Sequence, residues 1–93
     1  MIVGLCRLEL FIGEADSLKD KRRILLSLIE RLKRRFNISI AEVGYQEIRQ
    51  RGELALALVG NEKHYLETVL QKILNYVEND TRLEILKIHV EYL

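Results

Sequence analysis

An α+β fold is predicted by three features of this chain of 93 residues. Four short segments are rich in the aliphatic and β-branched residues typical of strands, and two longer segments repeat apolar residues with the helical period. These segments alternate in the order βαββαβ, and the connection between the middle two strands is short enough for an antiparallel hairpin. With right-handed crossovers, this order predicts a single ferredoxin-like domain over residues 1–93, with a four-stranded antiparallel sheet and both helices on one face.

The predicted strands occupy residues 1–12, 38–45, 53–60 and 83–92. In the first strand, Cys6, Leu8 and Leu10 share one face because side chains alternate along a strand. From Leu86 to Tyr92 the last strand alternates too, with apolar residues at the even-numbered positions and polar residues between them. We therefore expect Leu86, Ile88, Val90 and Tyr92 to face inward and Lys87, His89 and Glu91 to face outward.

The first predicted helix begins after Ser17 and ends at Phe36. Ser17 followed by Asp20 has the spacing of a capping box, in which a hydroxyl and a carboxylate accept hydrogen bonds from backbone N–H groups of the first turn. Asn37 is expected to end this helix in the left-handed conformation.

The second predicted helix begins after Asn61, a residue type that commonly caps helix N-termini, and ends before Asn79. Its apolar residues recur every three or four positions, so they form one stripe that faces the sheet. These residues are Leu66, Val69, Leu70, Ile73 and Val77.

Basic residues are concentrated in the first predicted helix. Between Ser17 and Phe36, eight of the 15 lysines and arginines stand against only two carboxylates, which gives this segment a charge of +6 when the whole chain carries +1. The remainder of the chain is therefore mildly acidic. A cationic helix on such a body favours a polyanion or an acidic protein surface as partner, because fixed cations displace the counterions condensed on that surface.

The leading functional hypothesis is a non-enzymatic module that binds structured RNA or a ribosome-related partner through phosphate contacts. In the predicted fold, the start of the first helix and the hairpin tip lie at the same end of the molecule, so their cations can converge beside several acidic residues. A solvated helix face, supported by the helix dipole and by local ion pairs, is the simpler alternative. The candidate polyanion-binding residues are Lys19, Lys21, Arg22, Arg23, Arg34, Arg35, Arg49 and Arg51.

Enzymatic chemistry finds little support in the sequence. No glycine-rich phosphate loop is present, and Cys6, His64 and His89 are too scattered to suggest a zinc site. We therefore predict no cofactor, no metal and no catalytic residue. His89 is expected on the open face of the sheet, opposite Arg7 or Glu9, as an ordinary cross-strand contact rather than a proton-transfer group.

The cysteine content and the apolar stretches bear on where the protein works. Cys6 is the single cysteine and cannot form an internal disulfide, so we expect a reducing compartment and a cytoplasmic protein. Charged residues or glycine interrupt the longest apolar stretches well before the length of a bilayer, so no membrane span is expected.

A homo-oligomeric structural or regulatory domain is the alternative function. The predicted open face of the sheet is more apolar than such faces usually are, and a symmetric dimer could cover it or pair edge strands. The apolar residues expected on this face are Val3, Leu5 and Phe11 and, depending on register, Ala55, Ala57 and Val59.

Several blocks of this sequence resemble a known family. Residues 17–23 read Ser-Leu-Lys-Asp-Lys-Arg-Arg, residues 35–43 read Arg-Phe-Asn-Ile-Ser-Ile-Ala-Glu-Val, and Gln46 and residues 50–51 (Gln-Arg) follow. The pattern spans essentially the whole chain and is similar to the YlxP-like proteins, small bacterial proteins of unknown function. This resemblance implies a ferredoxin-like fold and genes often found beside those for translation initiation and ribosome maturation. It supplies no catalytic residues, and Arg49 stands where relatives tend to carry an aromatic residue.

Overall fold

The computed structural model describes residues 1–93 and has the predicted order of elements. The elements are β1 (Ile2–Phe11), α1 (Leu18–Arg35), β2 (Ser39–Gly44), β3 (Arg51–Gly60), α2 (Lys63–Glu78) and β4 (Glu84–Tyr92). The strands form one antiparallel sheet in the order β2-β3-β1-β4, and both helices pack against the same face. This is the ferredoxin-like topology, so the predicted fold is confirmed.

The core lies between the helices and one face of the sheet. Cys6, Leu8 and Leu10 of β1 are all buried, as the alternation predicts. The register places Leu56 opposite Cys6 and Leu54 opposite Leu8, so β3 contributes a matching row of buried leucines. Each fully buried side chain of this size contributes about 1.5 to 3 kcal/mol of transfer free energy. The helices complete the core with Ile24, Leu25, Leu28 and Leu32 of α1 and Leu66, Leu70, Ile73 and Val77 of α2.

Strand β4 pairs with β1 but is covered by the helices only in part. The register pairs Ile88 with Leu8 and Val90 with Cys6, which puts both β4 residues on the helix side of the sheet. Their side chains are nevertheless 44% and 38% exposed, and Leu86 is 46% exposed. Ile88 and Val90 therefore face the helices as predicted, but the helices leave them and Leu86 partly exposed, because β4 is an edge strand with a neighbour on one side only.

The two helices begin differently. At the start of α1, the Ser17 hydroxyl accepts a hydrogen bond from the Asp20 backbone N–H at 3.0 Å, and the Asp20 carboxylate accepts one from the Asp16 N–H at 3.2 Å. The cap predicted at Ser17 is thus confirmed. For α2 the N-cap is Glu62, with no side-chain hydrogen bond, so the cap predicted at Asn61 is wrong.

The end of α1 also differs from the prediction. Phe36 follows the helix in an extended conformation, with φ at −133°, and donates its N–H to the Leu32 carbonyl at 2.9 Å. Asn37 does not adopt the left-handed conformation, since Tyr45 is the only non-glycine residue with positive φ. Neither helix combines the length and apolarity needed to cross a membrane.

We predict that Ser17→Ala lowers the free energy of unfolding by about 1 kcal/mol, because the Asp20 N–H loses its side-chain acceptor. Urea denaturation followed by circular dichroism measures the change. Asn61→Ala is the matched control and is expected to change stability by less than about 0.5 kcal/mol. Equal effects of the two substitutions would contradict the capping role of Ser17.

A candidate polyanion-binding surface on the first helix

One side of α1 carries a row of exposed cations. Successive residues of a helix are about 100° apart, so five basic residues of α1 fall within an arc of about 120°. Glu30 and the 56%-exposed Leu26 lie in the same arc. The five basic residues, all exposed and together called the α1 ridge, are Lys19, Arg22, Arg23, Lys33 and Arg34.

Most of the α1 ridge has no carboxylate at ion-pair distance. The exception is Arg23, whose Nη2 lies 2.9 Å from Asp20 Oδ1, although its side chain remains 76% exposed. Exposed pairs of this kind contribute about 1 kcal/mol or less, so Arg23 can exchange Asp20 for another anion at little cost. The four other cations form no salt bridge within the protein.

Lys21 belongs to the predicted set but does not lie on this surface. Its side chain projects from the opposite side of α1 and is fully buried beneath the tip of the β2–β3 hairpin. The Lys21 Nζ donates to four backbone carbonyl oxygens, those of Tyr45 (2.7 Å), Gln46 (3.3 Å), Ile48 (2.8 Å) and Arg51 (3.0 Å). The structure therefore removes Lys21 from the candidate ligands of a polyanion, because its charge is enclosed by the protein.

The charge of Lys21 is balanced by Glu42 on β2. Glu42 Oε2 lies 3.5 Å from the Lys21 Nζ and accepts no hydrogen bond. An ammonium has three N–H donors, and the carbonyl oxygens already share all of them. The carboxylate thus acts on Lys21 through its charge, at a distance slightly longer than a hydrogen bond.

A second cluster fixes the outer side of the hairpin. The Tyr45 hydroxyl donates to Glu9 Oε1 at 2.7 Å, and Arg51 Nη2 donates to the same oxygen at 3.2 Å. The Arg51 guanidinium also lies 4.7 Å from the centre of the Tyr45 ring. The hydrogen bond from Tyr45, helped by nearby cations, lowers the pKa of Glu9, and the same bond raises the pKa of Tyr45. Arg51 is therefore engaged within the protein.

The remaining predicted residues lie in different places. Arg49 is exposed on the hairpin tip and forms no salt bridge. Arg35 is exposed but lies off the α1 ridge, with its guanidinium 4.8 Å from the centre of the Tyr76 ring. Lys33 is a ridge residue that the prediction omits, although its position in the helical arc identifies it from sequence.

Another ion-pair cluster neutralises Arg31, a basic residue of α1 that faces α2. Asp80, just after α2, accepts hydrogen bonds from Arg31 Nη2 at 2.8 Å and from Arg82 Nη2 at 2.7 Å. Arg31 Nη1 also donates to the Tyr76 hydroxyl at 3.4 Å. Hydrogen bonds from Arg82 and then Arg31 hold the pKa of Asp80 well below its usual range. Arg31 thus ties α1 to the end of α2.

The open face of the sheet holds a polar pocket of mixed charge. The pocket has a volume of about 200 Å³. Arg7 Nη1 lies 3.5 Å from Glu53 Oε2, and Lys87 Nζ lies 4.0 Å from Glu9 Oε2. His89 lies opposite Arg7 on the neighbouring strand, as predicted. Alternating charges give this pocket no strong preference for an anion. The lining residues are Arg7, Glu9, Glu53, Lys87, Ile88 and His89.

The chain offers no built centre for metal or thiol chemistry. No three His, Cys, Asp or Glu side chains lie close enough together to hold a metal ion. Cys6 is buried in the core, and desolvation raises the pKa of its thiol to about 11. Its reactive thiolate form is therefore disfavoured at neutral pH.

Comparison with known proteins identifies the family. The family described as a protein of unknown function, DUF503, matches residues 3–90. The chain belongs to this family. It is also 34% identical, over 83 residues, to the uncharacterized protein YlxP of Bacillus subtilis (strain 168), and the match covers 89% of this chain and 90% of that protein. The resemblance to YlxP-like proteins is thus confirmed.

We predict that Lys21→Met lowers the free energy of unfolding by about 3 kcal/mol, because it removes the donor shared by the hairpin carbonyl oxygens and leaves Glu42 without a counter-charge. Urea denaturation measures the loss, and hydrogen exchange is expected to quicken most in residues 42–53. The matched control, Lys19→Met on the exposed side of α1, is expected to change stability by less than about 0.5 kcal/mol. A similar small loss for Lys21→Met would argue against the enclosed charge.

We predict that Asp80→Asn destabilises the protein by about 2 kcal/mol at neutral pH, because it removes charged hydrogen bonds to Arg31 and Arg82. The pKa of Asp80 is lowered by folding, so its contribution is present above the unfolded value of about 4 and is lost as the pH falls below it. Thermal unfolding of both proteins between about pH 7 and pH 2 checks this. The gap between their curves should narrow as the pH falls toward about 2, because the lowered pKa of Asp80 delays its protonation in the folded protein. A gap that does not depend on pH would contradict the assignment.

Proposed function

We propose that this DUF503 protein is a non-enzymatic module that binds structured RNA through the phosphate backbone. The α1 ridge is the proposed contact surface, extended at its start by Arg49 on the hairpin tip. One observation carries the proposal: Lys19, Arg22, Lys33 and Arg34 lie on one side of a helix with no carboxylate of their own.

The geometry of the ridge suits an extended polyanion. Lys19 and Arg34 are 15 positions apart, which corresponds to about 22 Å along a helix. Several consecutive phosphates of a nucleic acid strand fit within that length, so the two ends of the ridge can contact different phosphates. Glu30 and the exposed Leu26 interrupt the ridge at its middle. Two cationic clusters separated by a zone that carries the Glu30 carboxylate therefore describe the surface better than one continuous patch.

The sheet gives no reason to expect base stacking. RNA-recognition modules with this order of elements stack bases on aromatic residues of the central strands. Here the central strands are β1 and β3, and the open-face residues of β3 between Glu53 and Val59 are Ala55 and Ala57. The single aromatic residue of these two strands is Phe11, at the very end of β1. The proposed binding is therefore electrostatic and depends little on base sequence.

Binding of fluorescent RNA hairpins, measured by anisotropy over a range of salt concentrations, tests the proposal. Affinity is expected to fall steeply with salt, and Arg22→Glu or Arg34→Glu is expected to weaken binding about tenfold or more at low salt. Each substitution should also make the slope of log affinity against log salt concentration shallower, by about the amount that corresponds to one phosphate contact. Two hairpins of unrelated sequence should respond alike.

The matched control is Lys63→Glu, which makes the same charge change at an exposed residue at the start of α2. Its effect is expected to be within about twofold. Binding that does not respond to salt would contradict the proposal, and so would equal weakening by Lys63→Glu and Arg22→Glu. Absence of binding at low salt would leave the ridge as a solvated helix face.

A further inference from the structure

Strand β4 leaves one edge of the sheet open. It pairs with β1 alone, so the backbone N–H and C=O groups on its outer side form a row available to another strand. β4 has nine residues, and its helix side is partly exposed and apolar. The opposite edge strand, β2, has six residues and a register shift between Glu42 and Gly44. β4 also has a register shift, opposite Glu9 and Leu10, but its residues 87–92 pair with β1 without interruption. Such shifts discourage pairing, and β4 keeps the longer regular stretch. β4 is therefore the edge better suited to bind a strand.

The pairing with β1 determines which residues of β4 offer their backbone to a partner. Val3 and Leu93 exchange two backbone hydrogen bonds, of 3.0 and 2.8 Å. In an antiparallel ladder such pairs recur at every second residue, so the odd-numbered residues between 87 and 93 bond to β1. Residues 88, 90 and 92 consequently direct their N–H and C=O groups to the open edge. These are the residues whose side chains lie on the helix side.

The sequence of this edge is complementary to itself. When two β4 strands are placed antiparallel with a two-fold axis at His89, Ile88 of one copy lies opposite Val90 of the other. Both residues direct backbone groups outward, so each such pair can form two hydrogen bonds. Their apolar side chains meet on the helix side, where each is now exposed.

The same arrangement pairs opposite charges on the open face. Lys87 of each copy lies opposite Glu91 of the other, and the two His89 side chains meet at the axis. Moving the axis to Lys87 or to Glu91 would instead pair like residues there, which destabilises a sheet. If the two-fold axis passed midway between two consecutive residues of β4, apolar side chains of one copy would lie opposite polar side chains of the other. An axis at Ile88 or Val90 would also keep the apolar residues together on the helix side, but it would place His89 opposite Lys87 or Glu91. The register centred on His89 is the one that pairs Lys87 with Glu91.

We propose that the protein forms a homodimer in which two β4 strands pair antiparallel about His89 and join the two sheets into one of eight strands. The dimer covers the exposed apolar side of β4 and uses backbone groups that the monomer leaves to water. It requires no RNA, so it can be tested separately from the proposed function.

A charge exchange across the two-fold axis tests the register. Sedimentation velocity across the micromolar range should detect a dimer, and Lys87→Glu or Glu91→Lys should each raise its dissociation constant about tenfold, because each places like charges opposite one another twice. The double variant Lys87→Glu/Glu91→Lys should restore association. Lys87 and Glu91 lie four residues apart on one strand, about 13 Å, so this rescue cannot arise within a monomer. Lys72→Glu, at an exposed residue of α2 beside Arg35, is the control and should leave the constant unchanged.

Disulfide trapping tests the same register without depending on affinity. Residues facing each other at the axis lie about 4.5 Å apart between Cα atoms, within disulfide range, so His89→Cys should give a covalent dimer on mild oxidation. Glu91→Cys is the control, since its two copies lie about 13 Å apart and should not cross-link. The native Cys6 is buried and should not interfere.

Three results would overturn the proposal. The first is a monomer at every concentration together with no cross-linking of His89→Cys. The second is a dimer that the single charge reversals do not weaken, which would point to the open face of the sheet as the interface. The third is equal cross-linking of His89→Cys and Glu91→Cys, which would indicate random collision.

Discussion

The buried ammonium of Lys21 is the constraint that holds the start of α1 against the β2–β3 hairpin. The residue comes from the first turn of α1, and its acceptors come from the connection between β2 and β3, more than 20 positions along the chain. Three of those carbonyl oxygens belong to the loop and the fourth to Arg51, the first residue of β3, so they cannot all be satisfied by a strand partner. One positive charge therefore organises several backbone dipoles and joins helix and hairpin.

The same interaction determines which cations of α1 face solvent. Because residues of a helix turn by about 100° per position, directing Lys21 inward directs Lys19 and Arg22 to the outer side. Tyr45 adopts a left-handed conformation, with φ at 57°, which is unusual for a bulky residue, and its carbonyl oxygen makes the shortest of the Lys21 hydrogen bonds. The enclosed charge is thus structural, and the exposed ridge is its geometric consequence.

Periodicity in the sequence was sufficient for the fold and for most of the core. Alternation identified the buried face of β1, and the helical stripe of α2 matched its buried residues, with Val69 only half-buried. Periodicity could not identify Lys21, because a lysine between other basic residues has the pattern of a solvated face. Its burial depends on carbonyl groups whose position only the folded hairpin defines.

The exposure of β4 has a similar explanation. The alternation of apolar residues correctly predicted which side of the sheet Ile88 and Val90 face. How fully a helix then covers that side depends on strand order, and β4, as an edge strand, keeps Ile88 and Val90 partly exposed. The candidate site was predictable to the extent that it rests on local charge density. Arg51 and Lys21 fell outside it because their partners are distant in sequence.

The proposed dimer has a consequence for the proposed RNA contact. In this dimer the β4 residues that face the helices in one copy pair with those that face the helices in the other. All four helices therefore lie on one face of the joined sheet. Within each copy α2 packs near β4, whereas α1 packs near β2 at the far edge. The two β2 strands would then lie at opposite ends of eight strands, about 34 Å apart at the usual spacing. An RNA that contacts both ridges must span that distance. Once it is bound to one ridge, its effective concentration at the other ridge is raised, because the second contact is intramolecular. A short hairpin could engage one ridge only, so the dimer would favour long, folded RNA over short RNA by geometry alone.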